Sequence, residues 1–512
     1  MKKVLKIVTS RLFISFLLLF VQIGFLGFLA FRMTSNFNAI LTSCLLGLLL
    51  GIFICSRDDN PSYKVGWLLL IIPFPIFGIF LYLVFGNKKL GKWGRRKIKS
   101  YSEIVKEHED VDFPQQCSTS ELDDPILKRQ ADYIQSTSSF GLFRDTSTKL
   151  FSLGDDSYPV IMDCIRNARK FILLEFFIVD EGMMWTQMLE VLTQKVKEGV
   201  EVYFMYDDMG SINTRPAGYS SKLKELGINA ATFNPVQPRM NPILNYRDHR
   251  KILVIDGNIG FSGGINLADE YINRKIRFGH WKDSVIMLQG SAVLSMTLMF
   301  FQLYYFTIKR SMQDSAFDIQ KYMPTMKAPS DGFVQVFGDS PLDMHNVSEN
   351  EYLQIINTAT RYVWITTPYL ILDNEMITAL ILAAQSGVDV RIITPHFPDK
   401  KTVFIVTQAN YRRLVLGGVK IFEYTPGFIH SKAFVSDDRV AVVGTTNMDY
   451  RSFYLHFECS VVLYQTSTVV EVRDDIERTL EVCQAITGQD LADTPWIKKK
   501  AQQIISLFAP ML

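Results

Sequence analysis

The chain has 512 residues, and its 54 Lys and Arg against 52 Asp and Glu leave a net charge of +2. This balance disfavours a strongly basic nucleic-acid-binding protein, and a hydrophobic content of 48% excludes a largely disordered chain. The six cysteines include no Cys-x-x-Cys pair, which disfavours a disulfide framework and a zinc ribbon.

Three apolar runs without a charged residue open the chain, at residues 12–31, 39–55 and 66–86. Each approaches the roughly 17–25 residues needed to cross a bilayer. We therefore predict an N-terminal membrane region over residues 1–90, with two or three transmembrane helices. The third run is interrupted by Pro73 and Pro75 and is a candidate for a re-entrant segment. An uncleaved anchor fits better than a signal peptide, because two further apolar runs follow the first.

Orientation is predicted from the basic residues that flank these runs. A dense cluster of Lys and Arg occupies residues 88–99, whereas the loop before the third run holds only Arg57 and Lys64. Positive residues favour the inside, so we expect a multi-pass protein of the bacterial cell membrane with its C-terminal body in the cytoplasm. The N-terminus is basic too, which three full spans cannot satisfy, so the number of spans stays open. The cluster also favours contact with anionic lipid headgroups.

The rest of the chain is predicted to be a linker followed by two copies of one structural unit. Residues 91–135 are predicted as a basic juxtamembrane linker, residues 136–325 as a first lobe and residues 326–512 as a second lobe with a C-terminal helix. In both lobes, apolar strand-like segments alternate with helical ones, for example at 168–178 and 199–208 in the first and at 359–369 and 387–395 in the second. This pattern predicts an α/β fold with largely parallel sheets covered on both faces.

Each unit then carries the same motif, H-x-K-x4-D-x6-G-x-x-N. Its polar positions are His249, Lys251, Asp256 and Asn266 in the first unit and His430, Lys432, Asp437 and Asn447 in the second. One copy would be weak evidence, but two with identical spacing, at equivalent places in an internal repeat, indicate a duplicated catalytic site.

The residue types suit a phosphate. Residues i and i+2 of a strand share a face, so each motif His lies beside its Lys. Lys offers a point charge to non-bridging phosphate oxygens, and Asn266 and Asn447 can donate amide N–H groups. If the two motifs face each other, one His attacks phosphorus and the other protonates the leaving oxygen. Asp256 and Asp437 are counted with the catalytic motif, although their odd offset from the Lys points them to the opposite face, where they would tie down a turn.

The duplicated H-x-K-x4-D motif resembles that of the phospholipase D superfamily. Within it, the chain is similar to bacterial cardiolipin synthases over nearly its whole length. The similarity rests on the N-terminal hairpin ending at 82–86 and on the flanking blocks 174–178, 206–211, 260–271, 281–283, 426–430 and 447–452. The resemblance implies two phospholipase D-like lobes related by a pseudo-twofold axis.

The resemblance also implies a ping-pong phosphatidyl transfer without a metal or other cofactor. One His forms a covalent phosphatidyl-histidine from phosphatidylglycerol and releases glycerol. A hydroxyl of a second phosphatidylglycerol then attacks to give cardiolipin. By analogy, His249 is the expected nucleophile and His430 the expected general acid and then base. Asp283 and Glu458 occupy the places of the acidic residues that orient the two histidines in the superfamily.

Several alternatives stay open at the level of sequence. The same covalent intermediate serves a phospholipase D-type hydrolase and a phosphatidyltransferase that uses another alcohol. A membrane-tethered nuclease is disfavoured by the balanced charge, so the expected partners are phosphatidylglycerol and anionic membrane lipids rather than nucleic acid. A non-enzymatic scaffold is disfavoured because both motifs are intact. The oligomeric state and the order in which the two histidines act are left undetermined.

Overall fold

The computed structural model describes residues 37–86, 101–108, 111–236, 245–309, 312 and 317–511, and the separate positions 20, 24, 27 and 28. The first predicted apolar run lies outside the described residues except at those four positions. The basic cluster at 88–99 lies wholly outside them.

The N-terminal region forms three helices: α1 (Phe37–Ser56), α2 (Pro61–Ile71) and α3 (Pro75–Phe85). The third predicted run is divided between α2 and α3, because proline cannot continue a helix but is well suited to its first position, which Pro75 takes. The three helices contact one another around Ile54, Trp67 and Tyr82. Within the described part of the chain, no helix combines the length and apolar character needed to traverse a bilayer.

The body contains two large mixed sheets. The first has seven strands, which in spatial order are β2 (Thr146–Phe151), β10 (Val285–Gly290), β8 (Ile259–Gly263), β7 (Ile252–Ile255), β3 (Phe171–Phe176), β4 (Glu201–Asp207) and β5 (Asn229–Phe233).

The second sheet has ten strands, in the order β1 (Leu142–Phe143), β11 (Phe333–Asp339), β18 (His456–Tyr464), β17 (Val440–Gly444), β16 (Ala433–Ser436), β12 (Tyr362–Thr366), β13 (Asp389–Pro395), β14 (Lys420–Tyr424) and β19 (Cys483–Ile486), with β6 (Arg247–Asp248) paired to β18.

The duplication seen in the sequence is reproduced strand by strand. Strands β2-β10-β8-β7-β3-β4-β5 correspond to β11-β18-β17-β16-β12-β13-β14, and every pair has the same direction in both sheets. Within these two seven-strand arrangements, only the β3-β4-β5 and β12-β13-β14 ladders are parallel. The expectation of largely parallel sheets is therefore wrong for the motif half of each lobe, where the strands run antiparallel and tight turns join β7 to β8 and β16 to β17.

These turns begin at the motif aspartates. Asp256 and Gly257 adopt φ values of +54° and +72°, and Asp437 and Asp438 adopt +56° and +59°. Consecutive left-handed residues are typical of tight β-hairpins. The Asp256 carboxylate accepts backbone N–H groups at the start of β3, and the Asp437 carboxylate accepts those of residues 360, 361 and 362 at the start of β12, at 2.7, 2.8 and 2.9 Å. Each aspartate thus ties its hairpin to the adjacent central strand.

Helices cover the sheets. Beyond α1–α3 they are α4 (Tyr101–Glu107), α5 (Pro125–Ser138), α6 (Gly154–Arg166), α7 (Met183–Lys197), α8 (Tyr219–Glu225), α9 (Val293–Ile308), α10 (Val347–Thr358), α11 (Asn374–Gln385), α12 (Lys401–Leu416), α13 (Tyr450–Tyr454), α14 (Ser467–Leu480), α15 (Gly488–Ala492) and α16 (Trp496–Ser506). Helix α9 is apolar around most of its circumference, and it contacts β5 and β7 of the first sheet and β11 of the second.

Further contacts join the two sheets, because segments from one part of the chain pack on or pair with the other. Helix α5 lies in sequence before the first sheet, yet Gln130 donates to Thr358 and the Ala131 carbonyl accepts from Gln335. This segment, assigned by the sequence to the linker and the first lobe, packs on the second sheet. Strand β6 pairs with β18, and β9 (His280–Lys282) pairs with β15 (Gly427–Ile429). The lobes therefore share backbone hydrogen bonds as well as a core.

The motif aspartates generate a stability prediction. Asp437→Ala should lower the free energy of unfolding by about 2–3 kcal/mol, because it leaves three backbone donors without their charged acceptor. Asp437→Asn should lose less, since Asn keeps one acceptor oxygen and tolerates positive φ. Chemical unfolding of the detergent-solubilised protein measures both, with the exposed Asp163→Ala as control. Equal stability of Asp437→Ala and Asp163→Ala would show that these hydrogen bonds carry no net stabilisation.

Candidate active site

The two motif histidines line a single cavity of about 630 Å³ between the lobes. His249 and His430 are each 7% exposed. Asn266 and Asn447 line the same cavity, together with Phe177, Tyr271, Trp281, Arg451 and His456. The site residues predicted from two distant stretches of sequence are thus brought to one place, on a scale suited to a small ligand or a lipid headgroup.

Each histidine is held by the acidic residue of the other lobe. His249 Nδ1 lies 3.0 Å from both Glu458 carboxylate oxygens, and His430 Nδ1 lies 2.8 Å from Asp283 Oδ2. The backbone N–H groups cross over too, since His249 donates to the Phe457 carbonyl at 3.0 Å and His430 to the Lys282 carbonyl at 2.7 Å. A carboxylate at Nδ1 fixes the ring orientation and leaves Nε2 of each imidazole for chemistry.

The close approach of Asp283 depends on a glycine. A Cβ at Gly264 would meet Asp283 Oδ1 at 1.9 Å, so a side chain there would displace the carboxylate. The insertion at 272–280, longer than its counterpart in the second unit, does not move Asp283 away from His430. Part of that insertion forms a compact loop, in which Arg277 pairs with Glu270 at 2.8 Å.

The motif lysines lie against the histidine backbones. Lys251 Nζ donates to the His249 carbonyl at 2.6 Å, and Lys432 Nζ donates to the His430 carbonyl and lies 2.9 Å from His430 Nδ1. The histidines and lysines precede β7 and β16 rather than lying on them, so the expectation of a regular strand at the motif is wrong. The backbone N–H groups of His249 and His430 bind across the lobe boundary instead of within one sheet.

The motif asparagines and aspartates have different surroundings. The Asn266 carbonyl oxygen accepts from the Ile178 N–H and its amide donates to the Tyr271 hydroxyl, which places this amide in the cavity wall. The buried Oδ1 of Asn447 has no hydrogen-bond partner. Asp256 and Asp437 lie at the hairpin turns described above and are not among the residues that line the cavity. Their contacts are those of structural residues, and their place in the predicted catalytic set remains a prediction.

Burial dominates the electrostatics of the histidines and lysines. It lowers the pKa of His430 to about 4, with a further contribution from Lys432 that Asp283 partly offsets. Burial, followed by Lys251, holds the pKa of His249 well below its usual value. Burial also lowers the pKa of Lys251 to about 8 and that of Lys432 to about 7. Burial and the neighbouring lysines therefore favour neutral imidazoles, and an anionic ligand would favour their protonation.

The pKa values of the two acidic residues, Asp283 and Glu458, are shifted in opposite directions. Burial alone would raise the pKa of Asp283, but His430 and Lys432 beside it bring it below its usual value. At Glu458 burial prevails over Lys251, and the pKa is raised well above that of an ordinary glutamate. The half-sites are thus similar in geometry and unequal in charge, which is what a division of roles between two identical side chains requires.

Among the cavity residues that were not predicted from the sequence as site residues are Trp281 and His456. Trp281 stands two positions before Asp283, and its ring centroid is 5.3 Å from that of His430. His456 stands two positions before Glu458, and its ring centroid is 5.2 Å from that of His249. Aligning the two units on their acidic residues would have found both, because the repeat places them at equivalent positions.

Among the residues that the structure describes, one group of side chains has the spacing to bind a metal ion. His249, His456 and Glu458 offer atoms that all lie within 4.8 Å of one another. The positive charges of Arg451, Lys251, Arg247 and Lys400 act on the same place, and repulsion from four cations makes a divalent ion costly there. The donor set alone would accept a metal, but its charge surroundings suit an anion better.

The low pKa of His430 predicts acid sensitivity. Between about pH 6.5 and 4 the unfolded chain binds a proton at this residue that the native state excludes, so stability falls as pH falls, by up to about 1.4 kcal/mol per unit. His430→Asn keeps a donor for Asp283 but cannot titrate, so its unfolding free energy should fall less steeply over this window. Urea unfolding at several pH values measures both slopes, and identical slopes would contradict the prediction.

Known proteins resemble this chain in both sequence and fold. A family model described as cardiolipin synthase, PLD-like domain matches residues 352–480, and one described as phospholipase D-nuclease N-terminal matches residues 47–87. An uncharacterised protein of Streptococcus mutans is 42% identical over 467 residues, which cover 89% of this chain and 98% of the relative. A cardiolipin synthase of Alkalihalophilus pseudofirmus is 33% identical over 501 residues, which cover 95% and 96%.

Among solved structures, a phosphatidylserine synthase of Haemophilus influenzae aligns with a TM-score of 0.56 at 14% identity, covering 75% of this chain and 100% of that one. This likeness supports the two-sheet α/β fold. The near full-length sequence matches carry the assignment further: the chain belongs to the cardiolipin synthase family of the phospholipase D superfamily.

Proposed function

We propose that this protein transfers a phosphatidyl group from one phosphatidylglycerol to another, giving cardiolipin and glycerol through a covalent phosphatidyl-histidine. The observation that carries the proposal is the pair of buried histidines in one cavity, each held at Nδ1 by a carboxylate. Two imidazoles with free Nε2 atoms supply a nucleophile and an acid–base group without any further cofactor.

In the first step, Nε2 of one imidazole attacks phosphorus and the bond from phosphorus to the headgroup glycerol oxygen breaks. The second imidazolium gives its proton to that oxygen, so that neutral glycerol leaves. In the second step, the now neutral imidazole takes the proton from a hydroxyl of another phosphatidylglycerol as its oxygen attacks phosphorus. The phosphorus–nitrogen bond breaks, and both histidines return to their starting states.

We assign the nucleophile to His249 and the acid–base role to His430. The nucleophile must be neutral, and both burial and the neighbouring Lys251 favour neutral His249. The acid must carry a proton, and His430 is paired with Asp283, whose lowered pKa favours the ionised carboxylate that stabilises an imidazolium. The Lys251 and Lys432 ammonium groups, buried beside the histidines, would stabilise the negative charge on the phosphoryl oxygens.

Membrane association belongs to the same proposal. Helix α1 exposes a series of large apolar side chains, each more than half exposed: Leu41, Leu45, Leu46, Leu48, Leu49, Ile52 and Phe53. An apolar surface of this extent favours contact with lipid or with an apolar partner. A lipid substrate requires access from a bilayer, so we infer that the N-terminal helices and the basic cluster at 88–99 hold the cytoplasmic body at a bacterial cell membrane.

Product analysis tests the acceptor. Purified protein given phosphatidylglycerol alone, in mixed micelles, should form cardiolipin and release an equal amount of glycerol, as measured by thin-layer chromatography and a glycerol assay. His249→Ala and His430→Ala should each lower turnover by at least about 1,000-fold. Phosphatidic acid as the main product would make water the acceptor, and a new lipid formed only on adding another alcohol would identify a different transferase.

Trapping tests the order of the histidines. A labelled phosphatidyl ester of p-nitrophenol has a leaving group that needs no proton, so His430→Ala should still release nitrophenol and retain the label on the protein. His249→Ala should do neither. Intact-protein mass spectrometry locates the adduct. Label on His249→Ala and not on His430→Ala would reverse the assignment and leave the two-histidine chemistry standing.

A further inference from the structure

The internal repeat places unlike residues at one equivalent position. Asp283 and Glu458 correspond, and the residues two positions before them are Trp281 and His456. Each packs against the motif histidine that its own carboxylate holds, with ring centroids 5.3 and 5.2 Å apart. Each also directs a ring nitrogen at that carboxylate: Trp281 Nε1 is 3.3 Å from Asp283 Oδ2, and His456 Nδ1 is 3.5 Å from Glu458 Oε1. The half-sites differ here in chemistry rather than in layout.

The proton of His456 can be located from its other nitrogen. Arg451 Nε donates to His456 Nε2 at 3.3 Å. Since a guanidinium can only donate, Nε2 must be the acceptor, and neutral His456 then carries its proton on Nδ1, facing Glu458. His456 is 7% exposed, and its Nδ1 is buried without a close hydrogen-bond partner. A small tightening of the 3.5 Å contact would complete the bond.

Glu458 is shared between two imidazoles. His249 Nδ1 lies 3.0 Å from both carboxylate oxygens, and the Thr445 hydroxyl also donates to the group. A carboxylate that accepts from His456 as well stabilises an imidazolium at His249 less strongly than one committed to His249 alone. The titratable and charged groups that act on His249, His456 and Glu458 include Lys251, Arg451, Arg247, Lys400, Lys432, His430 and Asp449.

We propose that His456 is a positioning residue for His249: held by Arg451, it donates to Glu458 and so keeps His249 neutral and oriented for attack. Trp281 at the matching place is a fixed donor with no acceptor nitrogen, and it lacks this link to a guanidinium. The difference between the two residues would assign different roles to otherwise equivalent histidines. The inference rests on the proposed function, since it concerns the nucleophile of that reaction.

The test compares His456→Asn with His456→Gln. Asn places its amide where Nδ1 stands and can still donate to Glu458, whereas Gln places its amide toward Arg451 and leaves Glu458 without this donor. His456→Phe removes both nitrogens and keeps a ring against His249. In His456→Gln and His456→Phe, kcat for glycerol release should fall about 10–100-fold with little change in KM, while His456→Asn should retain most of the activity.

The pH profile separates positioning from packing. Without the donor from His456, Glu458 acts on His249 alone, the pKa of His249 rises, and the acid limb of kcat/KM between pH 4 and 7 should move to higher pH. His456→Gln and His456→Phe should show this shift, and His456→Asn should not. Trp281→Phe, the matched change in the other half-site, should leave the acid limb in place.

Each result has a defined consequence. If His456→Phe fails to fold, the comparison of Asn with Gln still decides. Equal activity and an unshifted acid limb in both the Asn and Gln variants would overturn the role of His456 while cardiolipin synthesis by the unmodified protein stands. Failure of the unmodified protein to form cardiolipin or release glycerol would overturn the proposed function instead.

Discussion

The structure depends on one reciprocal arrangement: each motif histidine is anchored by the carboxylate of the opposite lobe. His249 takes Glu458 and His430 takes Asp283, and the backbone N–H groups of both histidines bond across the same boundary. Neither lobe alone contains both a motif histidine and the acid that holds it. The close packing of the lobes, through α9, β6 and the β9–β15 pair, is therefore a condition for the site to exist and not only for stability.

Burying these basic side chains is electrostatically unfavourable, and a negatively charged ligand would offset part of that cost. Lys251 and Lys432 lie at 2% exposure beside two buried histidines, and burial favours the neutral form of all four bases. A phosphodiester brings the negative charge that this cavity lacks. Binding would favour the charged ammonium groups and raise the proton affinity of the two imidazoles. The same basic groups make a further positive charge, such as a metal ion at His249, His456 and Glu458, unfavourable.

Duplication explains why the two half-sites have the same geometry, and departures from it make them chemically unequal. The two seven-strand arrangements agree in order and direction, so they deliver two copies of the motif to one cavity with matching frames. Identical half-sites could not divide the work of nucleophile and acid. The contrasts between Asp283 and Glu458 and between Trp281 and His456 supply an inequality within that common frame.

Spacing and repeats, which can be read along the chain, determined the duplicated motif and the α/β class, and the resemblance carried by the motif implied the family and the acids Asp283 and Glu458. The sequence misjudged the sheets as largely parallel, since apolar strands read alike in both directions and the hairpin turns at Asp256 and Asp437 set the sense. Only the tertiary structure decided that the acids are exchanged between lobes, that 125–143 joins the second sheet, and that His456 packs against His249. Those contacts join residues far apart in the chain, 228 positions for Gln130 and Thr358, and they follow from how the two lobes pack, which no local pattern records.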